Sequence, residues 1–299
     1  FDEVPELICR ICAICSAVHK LTSLRAVESA LSVKVPETAE SLRELLLLGG
    51  HVQSHALHLF CLILPDFDRQ QSVVSLLERG DWLAEQGLAL KAYGNRVQEI
   101  VGGRVIHPVN PVVGGMSYRP RDGQLRTLLT EAEDWLKKWP RLEAEFLSRS
   151  DWPYASTAVG APLAVGADDG FGLSGERLFY GSGQAVAVAD YAELLGEQTV
   201  SYSHAKESTG EHGPFLVGAL ARLRLAAKRK VALGLDAGLE SDGIHSNNLA
   251  QFREVAWSLQ RIRQLLDKLL VVGEGGELRS RVIAGAGSGT AAMEAPRGL

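Results

Sequence analysis

Apolar residues recur at intervals of three and four along most of this chain, the spacing that puts them on one side of a helix. Val18, Leu21, Leu24, Val27 and Leu31 predict a first strong helix over about residues 14–31, and Pro36 interrupts the pattern. A long second helix is predicted from Glu37-Thr38 to Leu64, with Pro65 as its stop. A third is predicted over 72–100, weakened at Gly80, Gly87 and Gly94 and halted by Gly102-Gly103. Residues 120–148 read as a helix kinked at Pro140, with Trp135 and Trp139 as core anchors. Shorter helices are predicted over 191–200 and 220–235. A strong final helix covers 246–272, with Ser246 or Asn247 at its cap.

The spacing changes between these segments. Residues 104–115 are too rich in proline and glycine for a helix and read as extended chain with tight turns, with His107 biased to an extended conformation by Pro108. Residues 155–188 carry many glycines and short apolar runs, which predict strands and hairpins. Glu207–Pro214 reads as a polar loop with a solvated His212. The basic group Arg222, Arg224, Lys228, Arg229 and Lys230 reads as a solvated helix face. In the glycine-rich tail, 273–299, small residues are expected to let backbone approach another element closely. The expected fold is mainly α (α+β): a multi-helix body of long helices with a small peripheral β/hairpin region. Residues 1–299 are read as a single domain, and 155–188 as a β subregion within it.

Composition narrows the function classes. The chain has 299 residues, 46% hydrophobic and 22% charged, enough for a substantial core. A net charge of −5 with no basic run disfavours nucleic acid as a partner. The most apolar stretch, Leu45 to Leu64, is broken by glycine, glutamine, serine and three histidines, so no direct membrane span is expected. Four cysteines in a chain of this length do not make a disulfide scaffold and fit reduced, cytoplasmic thiols.

The stretch that carries chemistry is Cys9-Arg10-Ile11-Cys12-Ala13-Ile14-Cys15-Ser16-Ala17-Val18-His19. Cys12 and Cys15 are spaced as Cys-x-x-Cys where the chain turns into a helix, which brings two sulfurs to one point, and thiolate suits soft transition metals. The positive end of the helix dipole is expected to favour the deprotonated, ligating form. His19 follows one turn after Cys15, on the same face. The pair alone also has other readings, a redox disulfide, half of a zinc site, or two buried apolar cysteines, with metal binding ahead of a redox pair. The remaining thiols, Cys9 and Cys61, have no Cys-x-x-Cys partner of their own, which disfavours a four-cysteine zinc ribbon.

Arg10, Cys12, Cys15 and His19 match in order a signature that runs Arg-x-Cys-Gly-x-Cys-x-x-x-His. Four further blocks follow: Ser54-His55-x-x-His58 leading to Pro65-Asp66-Phe67; Gly94-Asn95, Gly102-Gly103-Arg104-x-Ile106-His107-Pro108 and Gly114-Gly115; Gly218-Ala219-Leu220-Ala221-Arg222-Leu223; and Glu294-Ala295-Pro296-Arg297-Gly298. In these blocks the chain resembles the large subunit of nickel–iron hydrogenases, in particular the cytoplasmic branch that couples to soluble carriers. It departs from that family in three ways, one of which is that the N-terminal block with its proton-relay glutamate does not occur. Ala13 stands where members carry glycine, a methyl that would crowd the site or narrow gas access. The second Asp-Pro-Cys-x-x-Cys-x-x-His signature does not occur. The chain is therefore expected to be a fragment of a longer subunit, incomplete at both ends.

The resemblance implies reversible, heterolytic cleavage of H2 at a nickel–iron centre whose iron carries carbon monoxide and cyanide, with magnesium nearby. It implies Cys12 as a terminal nickel ligand, Cys15 as a bridge to iron, and His19 as a hydrogen-bond donor to a bridging sulfur. Arg297 would sit over the open nickel position and help accept the proton. Pro296 and Arg297 would cradle the cyanides. His55 would stand behind the ligands and bind the cofactor indirectly; read without the resemblance, it is an interior histidine. Ser54 takes a position that is aspartate in some branches. Too few cysteines remain for an iron–sulfur cluster, so an iron–sulfur small subunit and further electron-transfer subunits are implied partners, docked on a large apolar interface. The alternative from another class is a catalytically inactive scaffold related to the quinone-site subunit of respiratory complex I. Retention of Cys12, Cys15, His19 and Arg297 argues against it.

Overall fold

The computed structural model describes residues 1–149, 157, 160–167, 170–210, 213–231 and 243–299. The chain divides into two compact units, Phe1–Ala155 with Gln251–Gly289, and Ser156–Ala250 with Thr290–Leu299.

The first unit is helical. After the short α1 (Glu3–Ile8), α2 (Ser16–Ala30) and α3 (Glu37–Ala56) form where the apolar spacing places them. Pro65 does not stop the second helix. The chain widens into a π-helical segment, Leu57–Ile63, and continues as α4 (Leu64–Phe67) with the proline in its first turn. A proline at the opening of a helical turn removes an N–H that has no intrahelical partner there, so the axis runs on. Glu37–Phe67 is long and apolar enough to cross a membrane by length and composition, contrary to expectation, yet 67% of its most apolar window is buried within this chain. The predicted third helix is two helices, α5 (Val73–Glu78) and α6 (Trp82–Gly102). Gly80, at φ 69°, makes the break, and the Asp81 carboxylate caps α6 by accepting from Ala84 N–H at 3.0 Å.

α3 and α6 cross closely because glycines meet there: a Cβ on Gly94 would lie 2.6 Å from the Gln53 nitrogen and 2.7 Å from the Gly49 carbonyl oxygen. After α6 come a two-strand hairpin, β1 (Pro111–Val112) with β2 (Gly115–Met116), and α7 (Asp122–Ser148), which passes through Pro140. Arg43 of α3 pins the hairpin. It donates to both Glu28 oxygens, at 2.8 and 2.6 Å, and to the carbonyls of Val112 and Gly115, while Glu28 also accepts from Gly114 N–H. Trp135 and Trp139 are buried as expected, and Phe146 stacks on Phe252 with ring centroids 4.5 Å apart.

The second unit holds the β structure. β3 (Ala161–Gly166), β4 (Ser174–Gly175), β5 (Arg177–Tyr180) and β6 (Gln184–Ala187) are followed by a single-turn α8 (Tyr191–Leu194) and a hairpin of β7 (Leu195–Thr199) with β8 (Lys206–Gly210). The predicted helix over 191–200 therefore ends after one turn, and the polar loop from Glu207 is a strand to Gly210. His212 lies outside the described residues. β9 (Phe215–Leu216) completes a four-stranded sheet ordered β6-β5-β3-β9, in which only the β3–β9 pair is parallel. Alternation along β3 sends Leu163 and Val165 to a cluster with Leu178, Val188 and Leu194. Ala164 goes to the opposite face with Phe179 and Leu225 of α9 (Ala219–Lys228).

The basic group on α9 is not simply a solvated face. Arg222 is buried, and Arg229 lies 3.7 Å over the Phe179 ring and donates to the Ala167 carbonyl. Positions 232–235, predicted to extend this helix, lie outside the described residues. α10 (Ser246–Val272) begins in this unit and continues in the first. Asn247 accepts a hydrogen bond from Leu220 N–H at 3.2 Å, in the opening turn of α9, and so caps that helix. The last strand, β10 (Ala292–Met293), pairs antiparallel with β4.

Candidate metal centre

Cys9 closes α1, and Cys15 is the N-cap of α2, so the thiol loop spans the gap between two helices. His19 N–H donates to the Cys15 carbonyl at 3.2 Å, the bond that starts α2. This places the Cys12 Sγ, the Cys15 Sγ and a His19 ring nitrogen within 4.8 Å of one another, all three half-buried. Among the described residues this is the single cluster of three such donors. Ala13 is exposed.

The loop is tied at both ends by one residue. His107 donates its backbone N–H to Ser16 Oγ at 3.0 Å, and its ring Nδ1 lies 3.0 Å from the Cys9 carbonyl oxygen. A carbonyl can only accept, so Nδ1 carries the proton. To do this His107 adopts φ 54°, the left-handed region, and not the extended conformation that Pro108 favours. The turn that presents it is closed by Val109 and Asn110 N–H groups, both donating to the Gly102 carbonyl. Lys20, buried beside Cys9, pairs with Glu6 of α1.

The two thiols differ. Hydrogen bonds from the Cys15 side chain and then from the Cys15 backbone N–H hold Cys12 below its ordinary pKa. Burial, then the bond to Cys12 and its charge, push Cys15 up to about 12. The helix end favours deprotonation of one thiol only, because burial outweighs it at Cys15. Cys9 and Cys61 are both raised by burial and stand outside the cluster.

His55 is fully buried on α3, its Nε2 2.6 Å from Glu254 Oε2 of α10. One turn to either side, His51 Nδ1 lies 3.0 Å from the Leu47 carbonyl and His58 Nδ1 lies 2.7 Å from Gln251 Oε1. His55 and His58 thus meet polar side chains of α10, while His51 bonds back to its own helix. In the second unit, Pro296 and Arg297 occupy the middle of a tight turn, with Ala295 and Gly298 exchanging both backbone hydrogen bonds, at 2.9 and 3.0 Å. Arg297 is exposed and Pro296 buried. Arg222 and Glu294, which hold this turn, were not singled out as site residues in the sequence; their pairing joins positions 72 apart.

A family profile described as nickel-dependent hydrogenase matches residues 2–79, which include the thiol loop and the whole of the histidine-bearing helix. The chain is 36% identical over 310 residues to sulfhydrogenase 2 subunit alpha of Pyrococcus furiosus, covering 99% of this chain and 70% of that one. The chain belongs to the nickel-dependent hydrogenases. It is 32% identical over 311 residues to the sulfhydrogenase 1 alpha subunit of the same organism, covering 71% of it. Among solved structures, an NAD+-reducing [NiFe]-hydrogenase in the H2-reduced state superposes with a TM-score of 0.81 at 26% identity, over 99% of this chain and 73% of that one. The Ni-Fe-Se hydrogenase of D. vulgaris Hildenborough shares the fold, with a TM-score of 0.76 at 19% identity. The mainly helical architecture is that of the hydrogenase large, or alpha, subunit.

Two sulfurs and an imidazole nitrogen lie close enough together to hold one soft ion, and Cys12, lowered from its ordinary pKa, is the more readily ionised of the two thiols, so these residues fit part of a thiolate-held metal centre.

Proposed function

We propose that this hydrogenase subunit cleaves H2 reversibly and heterolytically, using Cys12 and Cys15 as two thiolates of its nickel–iron centre. The observation that carries the reading is the convergence of the Cys12, Cys15 and His19 donors within 4.8 Å on a loop tied at both ends. When bound, the centre supplies the Lewis acidity that polarises H2.

The chain's own groups do the rest. Cys12 and Cys15 would hold the centre as thiolates, Cys12 as a nickel ligand and Cys15 as the sulfur shared with the iron, whose carbon monoxide and cyanide come with the group; Cys15 would give up its proton on loading. His19, next to both sulfurs, donates a hydrogen bond to the bridging one and limits its basicity. Arg297 supplies a fixed positive charge and a fork of donors that would help take up the departing proton, and Pro296 beside it would help hold the cyanides. His55, locked to Glu254, supports the site from behind. A magnesium ion nearby belongs to the same proposal.

The products are two protons and two electrons, so an acceptor is required. The electrons pass to an iron–sulfur small subunit and on to further electron-transfer subunits. Exposed Val4, Leu7, Ile11 and Ile14, spaced at three and four along α1 and the thiol loop, support a docking face for that small subunit. Metal analysis of the purified complex tests the reading. Nickel and iron in near-equal amounts, both lost in Cys12→Ser and Cys15→Ser, are expected. Zinc alone, or metal retained in both variants, refutes it.

A further inference from the structure

Arg222 lies one turn into α9, and its side chain turns back on the arginine-bearing turn. It donates to Glu294 Oε2 at 2.6 Å, to the Ala295 carbonyl at 3.2 Å and to the Pro296 carbonyl at 3.4 Å. Glu294 spends its other oxygen on Val165 N–H of β3 at 2.7 Å, and its backbone N–H donates to the Leu173 carbonyl at 2.8 Å. Both side chains are buried, at 1% and 0% exposure. The turn is shaped to receive them. Proline suits its first corner and glycine its last. Gly298, at φ 133°, presses on Val217, and Gly218, at φ 93°, leaves the room that a Cβ would take 3.1 Å from the Arg297 carbonyl oxygen.

We propose that Arg222 and Glu294 are positioning residues for the hydrogenase reaction: together they fix the Ala295–Gly298 turn and so set where the Arg297 guanidinium points. The inference rests on the role given to Arg297 above. Stability alone does not account for the pair, since a buried ion pair is often replaced by apolar residues at no loss. An apolar pair cannot hold two carbonyls. A lysine cannot hold a carboxylate and two carbonyls in one plane, which is the geometry of guanidinium. Arg222 thus orders the two peptide units on either side of Pro296, the second of which leads into Arg297, and Glu294 anchors Arg222 to the sheet.

The test uses the intact hydrogenase complex carrying Arg222→Gln, Arg222→Lys or Glu294→Gln, with Arg297→Lys as reference. H2-oxidation kcat and KM, nickel and iron content, and hydrogen–deuterium exchange by mass spectrometry are measured on each. In Arg222→Gln, kcat is expected to fall about 10- to 100-fold with KM for H2 within about twofold, as for a misplaced catalytic group. Exchange should quicken in the peptide spanning 290–299 and nowhere else, with metal content unchanged. Arg222→Lys and Glu294→Gln should show the same pattern more weakly, and they carry the test where Arg222→Gln does not fold. Wild-type kcat and exchange in all three variants overturn the proposal. So does a loss confined to metal content or global unfolding, which would mark the pair as structural only. Wild-type kcat in Arg297→Lys would instead remove the role of Arg297, while leaving the exchange result for the turn intact.

Discussion

His107 holds Cys9 from 98 residues away: its ring Nδ1–H donates to the Cys9 carbonyl at 3.0 Å, and its own backbone N–H reaches Ser16 Oγ just past Cys15. The left-handed backbone that allows both contacts is unfavourable for most side chains and tolerated best by glycine and asparagine. His107→Asn is therefore expected to keep the turn, and His107→Val to cost about 1–3 kcal/mol more through strain at the same site. Thermal unfolding measures the difference, and nickel content should follow the same order. Equal melting of the two variants would show that the backbone there is not strained.

The thiols should react unequally in metal-free protein. Cys12 is held below its ordinary pKa by bonds from Cys15, so it is the more readily ionised of the two, whereas burial pushes Cys15 up to about 12. Alkylation with iodoacetamide at pH 8, followed by peptide mass spectrometry, should label Cys12 first and leave Cys15 last. Metal binding to Cys15 must release its proton, so apparent affinity should climb about tenfold for each pH unit below 12 that this proton governs. A pH-independent affinity would show that Cys15 is already ionised.

The His55–Glu254 pair is wholly enclosed, at 2.6 Å, so removing one member strands charge or a strong acceptor in the core. Glu254→Ala should lower stability by about 3–5 kcal/mol, and Glu254→Gln, which keeps the shape and an acceptor, by much less. Denaturant unfolding of each variant separates the two. Equal loss in both would mean that packing, and not the polar contact, carries the effect.

Alanine in place of glycine inside a helix is ordinarily stabilising by about 0.5–1 kcal/mol. Gly94→Ala should do the opposite, because its Cβ would stand 2.6 Å from the Gln53 backbone nitrogen and neither helix can yield locally. Overpacking of this kind costs about 1–3 kcal/mol, which exceeds the propensity gain. A raised melting temperature for Gly94→Ala would show that α3 and α6 can separate cheaply.

The sequence reveals what is local and hides what is distant. α2 and α10 stand where their apolar spacing puts them, and Cys12, Cys15 and His19 meet because three- and four-residue steps fix their geometry. The passage of the second helix through Pro65 is not visible in the same way, since it depends on a π-helical widening that no periodicity encodes. β7 and β8 escape notice because Leu195–Thr199 and Lys206–Gly210 are mostly exposed and pair with each other, so no apolar alternation marks them. Arg222 looks like one more surface cation until Glu294 is brought to it. His107 looks extended until Ser16 and Cys9 claim its donors.

The loop from Cys9 to Ser16 has a consequence for how the subunit is built. Because His107 clasps its two ends, hydrogen bonds within the chain restrain how far apart Cys12, Cys15 and His19 can move, and a metal bound there would draw on donors whose spacing the polypeptide itself helps to set.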